Sequence, residues 1–89
     1  MMISRVLLHR GFRVPTHHHA NEQIVVVLSG LCRFGLGVEG TADRREVEIM
    51  GGDVLVLPSN LPHSCEAIED TLIMDLFSPP SERTGVDRA

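Results

Sequence analysis

Three histidines stand together at His17-His18-His19, and a fourth, His63, follows a proline-bounded loop far downstream. Side chains on an extended segment alternate between faces, so His17 and His19 point one way and His18 the other. The same parity reaches Asn21 and Gln23 and excludes Glu22. Gln23 opens an apolar run whose Val25 and Val27 continue on that face, which favours Gln23 over Glu22 as the next donor. A turn at Ala20-Asn21 would reset the register, so Glu22 stays the alternative. His63 returns where a strand re-enters beside the first pair. Three neutral imidazoles and one amide oxygen leave the 2+ charge of a divalent ion uncompensated, which suits Zn, Ni, Fe, Mn or Cu better than Mg or Ca. One such metal per chain, with fewer than six protein donors, keeps positions open for water or a small-molecule ligand, as catalytic sites do.

Asp75 shares parity with Ile73 and Phe77 and so falls among apolar side chains on an inward face. Desolvation raises such a carboxyl and a nearby cation lowers it; either way it can carry a proton. A purely structural Asp, bonding a loop amide or Arg5, is the competing reading. Cys65 shares the parity of His63 and reads as a small packed hydrophobe. His9 reads as a residue with no metal role, and His18 as exposed or as a neighbour of the ligands rather than a ligand itself. No G-x-S-x-G pattern occurs, which sets aside triad hydrolysis.

Positioning these groups falls to strands. No stretch keeps a 3.6-residue period, and Gly and Pro recur at short intervals, which predicts an all-β sandwich or barrel. About seven short strands are expected, at 3–9, 23–28, 31–36, 46–50, 53–57, 63–68 and 71–77, with 31–36 the hairpin partner of 23–28. Residues 1–78 form the barrel domain and the polar 79–89 a flexible tail. Gln23-Ile-Val-Val-Val-Leu28, Asp53-Val-Leu-Val-Leu57 and Thr71-Leu-Ile-Met74 are apolar on both faces. One face meets the interior, so the other needs covering, and the expected cover is a second copy in a homodimer. A chain of 89 residues buries only about 60–65% of its unfolded surface, so a partner or a metal matters to its stability.

Net charge is −4, which argues against nucleic acid or an anionic membrane as a partner. The longest unbroken apolar run, 24–28, is far too short to span a bilayer. The first residues lack a signal-peptide core. Two cysteines make no disulfide framework, and a cytoplasmic location is expected.

Gly11, five residues, His17-x-His19, three residues, Gln23, six residues and Gly30 resemble the first motif of the cupin superfamily, with Gln where many members have Glu. Gly52, five residues, Pro58 and then His63 resemble the second motif. Its usual glycine after the proline is replaced by Asn60 or Leu61. The resemblance implies a small single-domain jelly roll, usually dimeric, holding one divalent metal through His17, His19, Gln23 and His63. The two runs Glu22–Gly30 and Gly52–Pro80 are similar to those of the pectin-degradation cupins, which convert unsaturated uronates to linear keto sugars. In that group a metal polarises the sugar and an acidic residue on the last strand moves protons, which implies that role for Asp75. The group often has Arg directly after the two prolines; Ser81 stands there in this chain, with Arg83 two later. The chain also begins at what resembles the second strand of longer relatives, an N-terminally short version. A metal-dependent enzyme acting on a small polar metabolite such as a sugar acid is the expected function. A metal-dependent dioxygenase and a non-catalytic ligand- or metal-sensing module are the alternatives.

Overall fold

The computed structural model describes residues 1–78; the expected tail, 79–89, lies outside the described residues. Eight strands form: β1 (Met2–Leu8), β2 (Arg13–His17), β3 (Glu22–Ser29), β4 (Leu31–Leu36), β5 (Arg45–Met50), β6 (Val54–Leu57), β7 (His63–Ala67) and β8 (Thr71–Ser78). The strand added to the expected seven is β2, which Pro15 conceals. Proline lacks the N–H a ladder needs and is tolerated on edges and at irregularities. β2 is an edge strand, and its register against β7 shifts between Val14 and His17.

Two four-stranded antiparallel sheets face each other, one in the order β1-β8-β3-β6 and the other β2-β7-β4-β5. Only β4 and β5 are joined as a hairpin. Every other connection passes from one sheet to the other, the wiring of a jelly roll. The expected β3–β4 hairpin is therefore corrected: β4 pairs with β5 and β7. At that corner Gly30 has φ 97°, and a Cβ there would collide with the Asp70 carbonyl. Thr71 holds the corner shut, its hydroxyl accepting from Leu31 N at 3.1 Å and lying 3.0 Å from Leu31 O.

The inward rows of both sheets make the core: Val25, Val27, Leu57, Ile73 and Phe77 against Cys32, Phe34, Leu36, Ile49 and Cys65, all buried. Each buried aliphatic side chain contributes about 1.5–3 kcal/mol. Strand alternation produces this directly, since β8 alternates buried and half-buried along most of its length. Four polar residues are buried as well: Gln23, His63, Thr71 and Asp75. Thr71 belongs to the corner just described. The other three lie toward the opposite end of the barrel, where β2 ends and β3 and β7 begin.

Candidate metal centre

His17 closes β2 and is paired in register with His63, the first residue of β7. His19 lies in the short link to β3. The three rings gather with centroids 4.5 Å apart for His17–His63, 5.1 Å for His19–His63 and 5.6 Å for His17–His19. One ring nitrogen of each lies within 4.8 Å of those of the others.

Each ring is oriented by a backbone carbonyl two residues away. Nδ1 of His17 lies 3.0 Å from Pro15 O, that of His19 2.9 Å from Asn21 O, and that of His63 2.8 Å from Leu61 O. A carbonyl can only accept, so in the neutral ring the proton sits on Nδ1 and Nε2 keeps its lone pair. This is the tautomer a metal-ligating histidine requires. Burial, with the neighbouring His17 and His19 adding to it, pushes His63 below the ordinary histidine range despite the opposing bond to Leu61. The neutral ring is favoured.

Among the described residues, three buried side-chain acceptor atoms have no hydrogen-bond partner: His19 Nε2, His63 Nε2 and Gln23 Oε1. Leaving a buried acceptor unmade costs about 1–3 kcal/mol, and three in one small domain are a large uncompensated sum. All three atoms offer lone pairs and no proton, so a cation satisfies what another acceptor cannot. The residues present therefore fit a divalent metal, with two imidazole nitrogens and the amide oxygen lacking any other use and His17 beside them.

Gln23 is fully buried on the inward face of β3, and Glu22 is exposed on the other. The Gln23 amide is fixed by its other end: Nε2 donates to Asp75 Oδ1 at 3.0 Å. Asp75 faces inward from β8, 3% exposed. Burial raises its carboxyl to about 6, partly offset by the Gln23 hydrogen bond. Arg5 does not face it: Ser4 is the residue of β1 opposite Asp75. Cys65 also faces inward, and a hydrogen bond with the Cys32 thiol, together with burial, pushes its own thiol up. His9 and His18 are exposed.

The loop after Pro58 binds the two halves of the site together. Asn60 N donates to His19 O at 2.8 Å, and Ser59 Oγ to Ala20 O at 2.6 Å. Asn60 has φ 63°, the only non-glycine in the left-handed region among the described residues. Asn tolerates that conformation better than other side chains, so it stands in for the motif's glycine. Arg44 was not visible as a site neighbour in the sequence, because it sits in a polar loop without a motif. Its guanidinium donates to Thr16 Oγ1 at 3.1 Å, Gly37 O at 2.9 Å and Ser64 Oγ at 2.9 Å. It lies across Gly35, where any Cβ would strike it. That clamp ties the β4–β5 loop to the residues preceding His17 and following His63. A cavity of about 330 Å³ lined by Thr16, His17, His18, Val38, Glu39 and Pro62 opens beside the cluster.

This arrangement, two facing antiparallel sheets with a histidine cluster at one end, belongs to the cupin family, whose model matches residues 1–85. Among solved structures the chain is similar to KdgF from a Halomonas species, with 32% identity and TM-score 0.78 over 91% of this chain and 71% of that one. It shares its fold with a Streptococcus pyogenes protein of unknown function, at 23% identity and TM-score 0.76 over 89% of this chain and 64% of that one. It also shares it with an S161A mutant of Bacillus subtilis oxalate decarboxylase, at 22% identity and TM-score 0.79 over 92% of this chain and 22% of that one. The chain thus spans less than two thirds of the length of the latter two. A search of curated proteins finds no match.

Proposed function

We propose that this cupin holds one divalent transition metal through His17, His19, His63 and Gln23 and acts on a small polar metabolite of the sugar-acid class. The observation that carries the reading is the set of orphaned acceptors beside three rings whose Nδ1 atoms are already committed. The likeness to KdgF and the motif resemblance to uronate-converting cupins support the substrate class. A metal bound there supplies Lewis acidity toward a carbonyl or hydroxyl of the substrate.

The chain's own residues do the rest. Backbone carbonyls hold the imidazoles in the ligating tautomer. Gln23 divides its amide, turning Nε2 to Asp75 and keeping Oε1 for the cation. Asp75, with its carboxyl raised to about 6, carries a proton to and from substrate near neutral pH, where a group of that strength works best. Apolar walls from Phe77 and Leu57 exclude water. Two free, buried cysteines accord with a reducing cytoplasm, and among the described residues no helix is long and apolar enough to cross a membrane. The working assembly is a homodimer.

Turnover of a panel of unsaturated uronates by wild type and Asp75→Asn, at equal metal content, tests this. Activity in wild type and its loss in the variant are expected. Ligand binding without turnover in wild type would favour the sensing module, and oxygen consumption would favour a dioxygenase.

A further inference from the structure

The β4–β5 connection carries a carboxylate of the chain itself into the cavity beside the histidines. Val38 O accepts from Thr41 N at 3.3 Å and from Thr41 Oγ1 at 2.7 Å, closing a turn in which Gly40 has φ 77°. Glu39 stands at the corner of that turn, its side chain 67% exposed. Its Oε1 accepts from Thr16 Oγ1 and lies 3.9 Å from Arg44 Nη2. Thr16, His17 and Glu39 all line the cavity of about 330 Å³. A hydroxyl has one proton to give. Thr16 Oγ1 already accepts from the Arg44 guanidinium at 3.1 Å, so that proton is turned toward the carboxylate. Arg44 is mostly buried and pinned to Gly37 O and Ser64 Oγ as well. Both donors are therefore set in place before any ligand arrives, which lowers the cost of binding one.

We infer that Glu39 holds the place of the ligand's own carboxylate: an anionic metabolite enters this cavity, takes the Thr16 hydroxyl proton, faces Arg44 and turns Glu39 out to solvent. The exchange is carboxylate for carboxylate, which a neutral sugar cannot make, having no charge to set against the guanidinium. Glu39 yields readily, because an exposed carboxylate paired with a guanidinium gains little from the contact. The turn is closed by its own backbone, and its base is tied down where Gly37 N donates to Pro62 O at 2.8 Å. A change of Glu39 rotamer thus clears the spot without moving the loop. A cavity of about 330 Å³ is at the small end of ligand sites and suits a single sugar. With its acid group on Thr16, such a ligand extends against His17, the next residue in the chain. Thr16 and Arg44 then set the preference for an acid, while Glu39 lowers apparent affinity by the fraction of time it fills the spot. The inference rests on the sugar-acid reading for the body of the ligand and adds the side chains that recognise its acid.

NMR titration of the full chain with glucuronate and with glucose, in excess zinc, is the test. Thr16→Val keeps the side-chain shape without the hydroxyl and is expected to weaken glucuronate binding about 10-fold or more. Thr16→Ser is expected to restore it. Glu39→Ala, at an exposed turn position, is expected to tighten glucuronate binding about 5-fold. Glucose is expected to bind all four proteins alike. In wild type the Glu39 carboxyl carbon resonance is expected to move with glucuronate and not with glucose, a readout that needs no variant to fold. Absence of glucuronate binding to wild type, a Glu39 resonance that stays still, unchanged affinity in Glu39→Ala, or a Thr16→Val loss that Ser does not restore would each overturn the assignment. Binding in the expected order without turnover of unsaturated uronates keeps this site and removes the proposed function. Turnover with a KM indifferent to Glu39→Ala and Thr16→Val does the reverse.

Discussion

Asp75 should make the metal-free protein less stable as pH rises. Its carboxyl is 3% exposed and raised from 3.8 to about 6 by burial. Because the folded value lies above the unfolded one, the favourable contribution is fully present below about pH 3.8 and is lost as pH rises through about 6. At about 1.36 kcal/mol per pKa unit, the ionised carboxylate costs the fold about 3 kcal/mol by pH 8, a large share of the total stability of a small domain. Asp75→Asn keeps an acceptor for Gln23 Nε2 and cannot ionise. Urea denaturation of both proteins, followed by circular dichroism in chelator at fixed protein concentration, isolates the effect. The other titrating groups, His63 included, are common to both proteins and cancel in the difference. The stability difference is expected to shift by about 2–2.5 kcal/mol in the variant's favour between pH 4 and pH 8. A difference that stays constant across this range would refute the buried, strained carboxylate.

Gln23→Glu removes the amide donor to Asp75 Oδ1 at 3.0 Å and sets two carboxyls together. The metal-free variant should lose about 1–3 kcal/mol at pH 8, and an unchanged urea midpoint would show that the pair is not coupled. Asn60→Gly should be neutral or slightly stabilising, since the position already lies at φ 63°. Asn60→Ala should cost about 1–2 kcal/mol and weaken metal affinity through the link to His19 O; equal melting temperatures for the two would discount the backbone argument. Arg44→Ala frees the β4–β5 loop from Thr16 and Ser64, and faster amide exchange across 37–44 with the core unchanged is the expected signature.

Much of the fold was legible because strand alternation is rigid. The parity that grouped His17, His19 and Gln23, and separately Ile73, Asp75 and Phe77, is the parity of burial in the structure. β2 was hidden because a local rule about proline says nothing of position, and only the sheet order shows that Pro15 stands on an edge. The β3–β4 turn resembles a hairpin in sequence because a tight Gly turn looks the same whether the chain folds back on its own sheet or crosses to the facing one. Its true path depends on Thr71, 40 residues away from its bonding partner Leu31. The motif's missing glycine could not be assigned between Asn60 and Leu61 until the backbone showed which of them has positive φ. The carbonyls of Pro15, Asn21 and Leu61 that orient the rings belong to the backbone and leave no mark in residue types. The apolar second faces of β3, β6 and β8 are legible in the residue types, and the structure leaves them outside the core, with Val54 and Val56 exposed and Ile24, Val26, Leu72, Met74 and Leu76 half-buried.

The central claim is tested most directly by elemental analysis joined to X-ray absorption at the edge of the bound metal, on wild type and His19→Ala. The account predicts one transition metal per wild-type chain, with imidazole nitrogens in its coordination shell at about 2.0–2.1 Å. It also predicts metal loss in the variant, with a melting temperature no longer responsive to added metal. Sub-stoichiometric metal in a wild-type protein prepared with excess ion, or full metal content in His19→Ala, would contradict it.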